Sequence, residues 1–251
     1  MKILAVAFRK GGVGKSTLAV HLAFHLASQG KRVLLVDTDE GDLSEVFPAL
    51  DDDEHLVASK LLMGQVNCAP RLVSQNIWLV PADVEVIDVD DLPMDEMPDL
   101  RGNLQMHFDG DFDVVIIDTP PNLQRRFITA LAAADGVVAP FSISSFSFHR
   151  LPKFLAAVEN IKTALNPELK LLGLVPFLVN SKSASEVEVL PYVQDKYGAL
   201  LINTPVMTRA CVPTSLAESR PVWKNARSGN QRQAAKEMRA ACEEVSRRLY
   251  A

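Results

Sequence analysis

Two lysines five positions apart, Lys10 and Lys15, bracket three glycines in the stretch FRKGGVGKST, residues 8–17. Gly11, Gly12 and Gly14 let a backbone turn tightly with its N–H groups facing inward, and a helix beginning near Lys15 adds its positive N-terminal end. Such a nest binds phosphate. Lys15 would reach the β- and γ-phosphates of a nucleotide, the Ser16 hydroxyl would ligate magnesium, and Val13 and Thr17 complete the contacting stretch. One lysine is enough for this chemistry, so Lys10 needs a separate account.

A phosphate loop works only where a strand delivers it and a helix leaves it. KILAVAF precedes the loop and STLAVHLAFHLASQG follows it, with Leu18, Leu22 and Leu26 at four-residue spacing. Further apolar runs are RVLLVD, IWLVPA, DVVIID, GVVAPFSI, LLGLVPFLVN and LLIN, most of them separated by stretches of helical period. They are apolar without alternation, as strands buried on both faces of a parallel sheet must be. The expectation is an α/β, doubly wound, mostly parallel sheet of about seven or eight strands flanked by helices. With 251 residues, 48% of them hydrophobic, the chain is read as one domain over residues 1–251.

Taken strictly, the P-loop pattern G-x-x-x-x-G-K-[ST] fails, because Arg9 stands where the first glycine belongs. What is present, KGGVGKST, resembles the deviant Walker A loop of the ParA/MinD family of P-loop ATPases, closest to the short ParA-like partition proteins. RVLLVDTD is similar to that family's second strand, FDVVIIDTPP to its Walker B strand, LLGLVPFLVN to the strand whose terminal asparagine meets adenine, and TPVMTR to a later proline-and-arginine segment. The resemblance covers nearly the whole chain and includes no extra N-terminal DNA-binding domain.

The resemblance implies a magnesium-dependent ATPase of the slow, switching kind, with ATP and Mg2+ as its cofactors. Lys10 would reach phosphate oxygens across the interface of an ATP-bound homodimer, where two triphosphates brought close together need additional positive charge. Asp39 would position the attacking water, Asp37 would lie nearer the magnesium shell, and Asp118 would hold magnesium as the Walker B acid. Asn180 offers an amide that both donates to and accepts from an adenine edge, and Pro205 would hold the backbone beside the same base. One departure concerns Asp39: Glu40 and Gly41 follow it where proline and glutamine are usual, so the hydrolysis rate could differ.

The net charge of −5 hides a division along the chain. Residues 206–251 hold nine Lys/Arg against four Glu, a net of +5, whereas 1–205 hold seventeen basic and twenty-seven acidic residues, a net of −10. The resemblance implies non-specific DNA and a cargo-bound activating protein as partners, with Arg209 at the position of a family arginine; Arg220, Lys224, Arg227 and Arg232 follow it, and phosphate contact requires charge without base reading. Ordinary surface solubility is the other reading of the same charges. DVEVIDVDDLPMDEMPD, residues 83–99, carries eight acids and no base and reads as a solvated loop or irregular helix.

Three features set aside other classes. No apolar run approaches a membrane span or a signal peptide, so a cytoplasmic, nucleoid-associated protein without a membrane partner is expected. Cys68, Cys211 and Cys242 lie far apart, against both a disulfide framework and the paired cysteines of an iron–sulfur carrier. A membrane-bound positioning ATPase of the MinD kind is the alternative, but EEVSRRLYA offers only Val245, Leu249 and Tyr250 for a lipid-facing helix, and a tyrosine kinase of the superfamily usually ends in a tyrosine cluster. His21 and His25, at i and i+4, have metal-binding spacing without an acidic or cysteine companion, and a structural role is expected. The closing NQRQAAKEMRAACEEVSRRLY reads as a helix whose stripe Ala234, Met238, Ala241, Val245 and Leu249 packs on the sheet.

Overall fold

The computed structural model describes residues 1–49, 54–143, 150–180 and 183–251. Its first half runs β1 (Lys2–Val6), α1 (Lys15–Ser28), β2 (Val33–Asp37), α2 (Asp42–Val46), α3 (Ala58–Leu62), β3 (Arg71–Ser74), β4 (Ile77–Val80), α4 (Leu100–Phe108) and β5 (Val114–Asp118). The second half runs α5 (Arg125–Ala133), β6 (Gly136–Phe141), α6 (Leu151–Ala164), β7 (Lys170–Val179), α7 (Ala184–Tyr197), β8 (Val206–Met207), α8 (Cys211–Ala217) and α9 (Gly229–Leu249).

The strands form one sheet in the order β3-β4-β2-β5-β1-β6-β7-β8, parallel except for the β3–β4 pair. Alternate residues of the central strands enter opposite cores: Ile3, Leu34, Val115 and Val137 face one helical layer, and Leu4, Leu35, Ile116 and Val138 the other. Burial on both faces is why these runs show no alternation of polar and apolar residues. In α9, Ala234, Met238, Ala241, Val245 and Leu249 are all buried in the layer that also holds Leu18, Leu22 and Leu26 of α1, as their spacing predicts.

Two stretches differ from the sequence expectation, and a third, irregular helix as expected, differs in how much of it is buried. RLVS, residues 71–74, is an antiparallel edge strand that returns through a tight turn in which Asn76 adopts φ 60°, a conformation asparagine tolerates. LLIN makes only an isolated bridge, Leu174 with Leu201, since the Leu200 N–H turns back to the Tyr197 carbonyl at 2.8 Å; the Arg248 guanidinium takes the Leu172 and Leu201 carbonyls at 2.8 and 3.0 Å, and the last strand is instead the two-residue β8. The acidic stretch is irregular helix, two 3-10 segments at Val84–Asp91 and Met94–Glu96. It is not simply solvated, since Val86 and Val89 are buried, Asp83 binds Ser59, and Asp90 is held by Arg126.

His21 has the expected structural role. Its buried ring donates from Nδ1 to the Thr17 carbonyl at 2.7 Å and accepts at Nε2 from the Val222 N–H at 3.1 Å, which fixes the neutral tautomer. Burial lowers its pKa to about 4. A folded-state pKa below the unfolded value of about 6.5 means that the unfolded chain binds the extra proton, so this stabilisation is complete above that pH and is lost as pH falls towards 4. The expected loss is about 3 kcal/mol across that window, read as a drop in urea midpoint that a His21→Gln variant does not show.

Candidate functional site: a phosphate loop over three strand ends

In a parallel sheet the carboxyl ends of β1, β2 and β5 fall at one edge, and register makes the alignment strict: Asp118 pairs with Val6 on one side and Asp37 on the other. Residues 7–14 leave β1 there and feed α1. The turn uses left-handed backbone at Gly12 (φ 68°) and Gly14 (φ 94°), the second of which directly precedes the first residue of α1, Lys15. A Cβ on Gly14 would stand 2.4 Å from the Phe177 ring, so β7 supports the loop from behind and permits only glycine. Val13 is buried, Lys10 is partly buried, and Gly11 and Gly12 are exposed at the tip.

Lys15 is 5% exposed and its Nζ lies 3.6 Å from the Asp39 Oδ2. The Ser16 hydroxyl donates to the Asp42 Oδ2 at 3.2 Å. Asp37 is buried, each of its oxygens accepting a backbone N–H at 3.0 Å, from Asp39 and Leu43. Burial pushes the Asp37 pKa up to about 6 against those two bonds, with the charges of Asp39 and Asp42 adding to the rise. Asp39 is raised by burial and held back by Lys15. Asp37 thus shapes the turn that carries Asp39.

Asp118 is different. It is fully buried, and neither carboxylate oxygen has a hydrogen-bond partner. Burial, then the charge of Asp37, raises its pKa well above the ordinary range, with Lys15 opposing. A buried carboxylate without donors requires an explanation. At a strand end below a phosphate loop, the hard-oxygen set of Asp118 and the Ser16 hydroxyl fits a magnesium ion.

The remaining predicted residues divide. Asn180 directly follows β7, beyond Leu178, a bulky residue in left-handed backbone (φ 55°) that re-aims the strand end. Pro205 directly precedes β8, whose Val206 pairs with Phe177, so it lies roughly 10 Å back along the strands from Asn180 and the two are not brought to one level. Arg209 is turned inward: its guanidinium meets Glu237 at 2.7 and 3.2 Å and also Asn230, leaving the side chain 19% exposed. Arg220 pairs with Glu218 and donates to the Lys224 carbonyl, and Arg232 donates to the Arg227 carbonyl. Lys224, Arg227 and Arg232 are exposed.

Sequence reading missed Lys236 and Arg239, exposed at i+4 and i+7 from Arg232 on α9, with the Arg239 guanidinium 5.4 Å over the Trp223 ring. Helical spacing was the signal available. It also missed Arg126, nearly buried at the start of α5, which reaches the Asp39 loop.

A parallel sheet with a glycine loop between β1 and α1, over strand-end carboxylates, defines a P-loop nucleotide-binding protein. Residues 1–171 match a family model described as an AAA domain, AAA_31. The chain is 31% identical to a protein IncC of Escherichia coli, covering 98% of this chain and 69% of that protein. It is 31% identical to the chromosome-partitioning ATPase Soj of Thermus thermophilus, over 81% of this chain and 80% of that one. A crystal structure of cobyrinic acid a,c-diamide synthase from Mycobacterium smegmatis with bound ADP and magnesium superposes with a TM-score of 0.75 at 31% identity, over 87% of this chain and 91% of the other. The chain belongs to the AAA_31 family of P-loop ATPases, with protein IncC and the chromosome-partitioning proteins ParA and Soj among its relatives.

Proposed function

We propose that this chain is a ParA-type partition or positioning ATPase. Two ATP-bound copies meet over their phosphate loops, the dimer holds DNA without reading its sequence, and hydrolysis triggered by a protein on the cargo releases it. The observation that carries the reading is Lys10, a second lysine inside the glycine nest that Lys15 already serves. Lys15 holds the β- and γ-phosphates within one subunit, and Lys10 neutralises the phosphates of the facing one. Asp39, beside Lys15, orients the attacking water. Magnesium, when bound, neutralises charge on the β- and γ-phosphates, and Ser16 and Asp118 are the residues to hold it. Asn180 meets the adenine edge, whereas Pro205, roughly 10 Å back along the strands, takes no part in that contact.

The exposed Lys224, Arg227, Arg232, Lys236 and Arg239 supply the DNA surface, with Arg209 buttressing it from within through Glu237. A dimer doubles this surface, which links nucleotide state to DNA affinity. Charge of this kind binds phosphate and predicts strong salt dependence. The membrane-bound alternative has less support, since Val245 and Leu249 are buried against the sheet and no helix among the described residues is long and apolar enough to cross a membrane. The reading fits a cytoplasmic, nucleoid-associated protein made of one ATPase domain.

DNA co-sedimentation with ATP, ADP and no nucleotide, at two salt concentrations, tests the reading. Binding that requires ATP and weakens with salt is the expected result; liposome binding without DNA binding would refute it. Lys10→Ala is expected to abolish ATP-dependent dimerisation in sedimentation velocity while leaving nucleotide affinity of the single subunit within about threefold. A dimer that forms with ATP in that variant removes the role given to Lys10.

A further inference from the structure

The geometry points to Arg126 as a positioning residue for ATP hydrolysis, one that holds the backbone carrying Asp39 in place from a different part of the chain. The inference rests on the reading of Asp39 as the residue that orients water. On its near side Asp39 is held locally, by its N–H to Asp37 at 3.0 Å and by the Thr38 hydroxyl to the Asp118 carbonyl at 2.7 Å. On its far side Glu40 and Gly41 follow, with Gly41 in left-handed backbone (φ 104°) before α2, and Arg126 supplies a further hold. Its Nη1 donates to the carbonyls of Thr38 and Asp39 at 3.0 and 3.3 Å, which belong to the two peptides flanking the Asp39 Cα.

The guanidinium is itself fixed. Nε donates to the Asp90 Oδ2 at 2.8 Å, Nη2 lies 2.8 Å from the same oxygen, and the Arg126 backbone N–H donates to the Asp90 Oδ1 at 3.0 Å. The neighbouring Arg125 secures the same 3-10 segment through the Leu92 carbonyl at 3.0 Å. The Arg126 and Asp90 side chains are 6% and 7% exposed, so the pair is largely shielded from water and its charge-assisted bonds resist displacement. One side chain therefore ties together the turn after β2, the acidic segment and the helix that follows the Asp118 loop. A salt bridge that only anchored the acidic segment would need no donor on Thr38 or Asp39, whereas here a guanidinium nitrogen is committed to both.

The test separates turnover from binding in the full chain, using Arg126→Met, Arg126→Gln, Arg126→Lys and Asp90→Asn, with thermal melts to show folding. Displacing a catalytic group by about an ångström costs on the order of 100-fold in rate. Arg126→Met and Arg126→Gln are expected to lower kcat by about 10- to 100-fold while the Kd for a fluorescent ATP analogue stays within about threefold. Asp90→Asn should lower kcat less, and Arg126→Lys should recover part of the rate but not all of it, because an ammonium cannot bond Asp90 and both carbonyls in one plane. Wild-type kcat in a folded Arg126→Met or Arg126→Gln protein overturns the inference, as does a loss of ATP affinity equal to the loss of kcat. If neither variant folds, Asp90→Asn is read by the same criteria. Asp39→Asn serves as the reference: normal hydrolysis there refutes the reading of Asp39, and abolished hydrolysis beside an unaffected Arg126→Gln protein refutes Arg126 alone.

Discussion

Replacing Asp118 with asparagine is expected to make the nucleotide-free protein more stable and to abolish its magnesium-dependent turnover of ATP. The two effects have one cause. Asp118 is fully buried beside Asp37, with no donor on either oxygen, so the charged form has lost its water and gained a like-charged neighbour. Its raised pKa destabilises the fold wherever the unfolded chain holds the carboxylate ionised, above about pH 4, and the effect grows as pH rises from there towards the folded-state pKa. Asparagine keeps the shape and removes the charge. The expected gain is about 1–3 kcal/mol in chelator at neutral pH, or several degrees in Tm for a chain of this size, shrinking towards zero near pH 4. In return the variant loses the anionic oxygen proposed to hold magnesium, and kcat should fall by at least about 100-fold, near the value lost with a single electrostatic contact to a transition state. Thermal melts with chelator and with magnesium and ATP decide the matter. Wild type should gain stability from the ligands and Asp118→Asn should gain little.

Gly14→Ala is expected to damage both stability and nucleotide binding, through two separable strains. The new methyl would meet the Phe177 ring at 2.4 Å, and a non-glycine residue would be forced to φ 94°. Overpacking of this kind costs about 1–3 kcal/mol and left-handed backbone about 1–2 kcal/mol, so a total loss of about 2–5 kcal/mol should appear in the urea midpoint. The nest of N–H groups also shifts, and affinity for a fluorescent ATP analogue should drop by at least about tenfold. A second substitution distinguishes the causes. Phe177→Leu in the Gly14→Ala background makes room for the methyl and should restore much of the stability, yet leave binding weak, because the backbone strain is untouched. Full recovery of affinity in the double variant would assign the damage to the ring.

The sequence reveals the site better than its supports. Unbroken β-branched runs betray strands buried on both faces, and glycine spacing betrays the loop, since each is a local requirement of the element it forms. Strand ends at Asp37, Asp118 and Asn180 follow from those runs. By contrast, β3 was hidden because RLVS is short and only half-buried on the sheet's margin, and β8 because two residues have no period. Arg126 and Asp90 are 36 residues apart, and nothing in either neighbourhood points to the other. Arg209 was misread for the same reason: a count of charges cannot show that Glu237, on α9, has turned its guanidinium inward. Local patterns report what an element is made of, whereas pairings between elements depend on how the layers stack.

The margins of the sheet constrain how a second copy can attach. One edge is a four-residue antiparallel strand, and the other is two residues long, beside carbonyls already claimed by Arg248. Neither leaves a long row of unpaired backbone groups for another sheet to extend. Extension by backbone pairing would also be blind to nucleotide, because a ladder of peptide groups is the same whatever occupies a loop elsewhere. With only short margins on offer, the proposed association of two copies is left to side chains at the strand ends, where bound phosphate would change the charge of the surface that a second molecule meets.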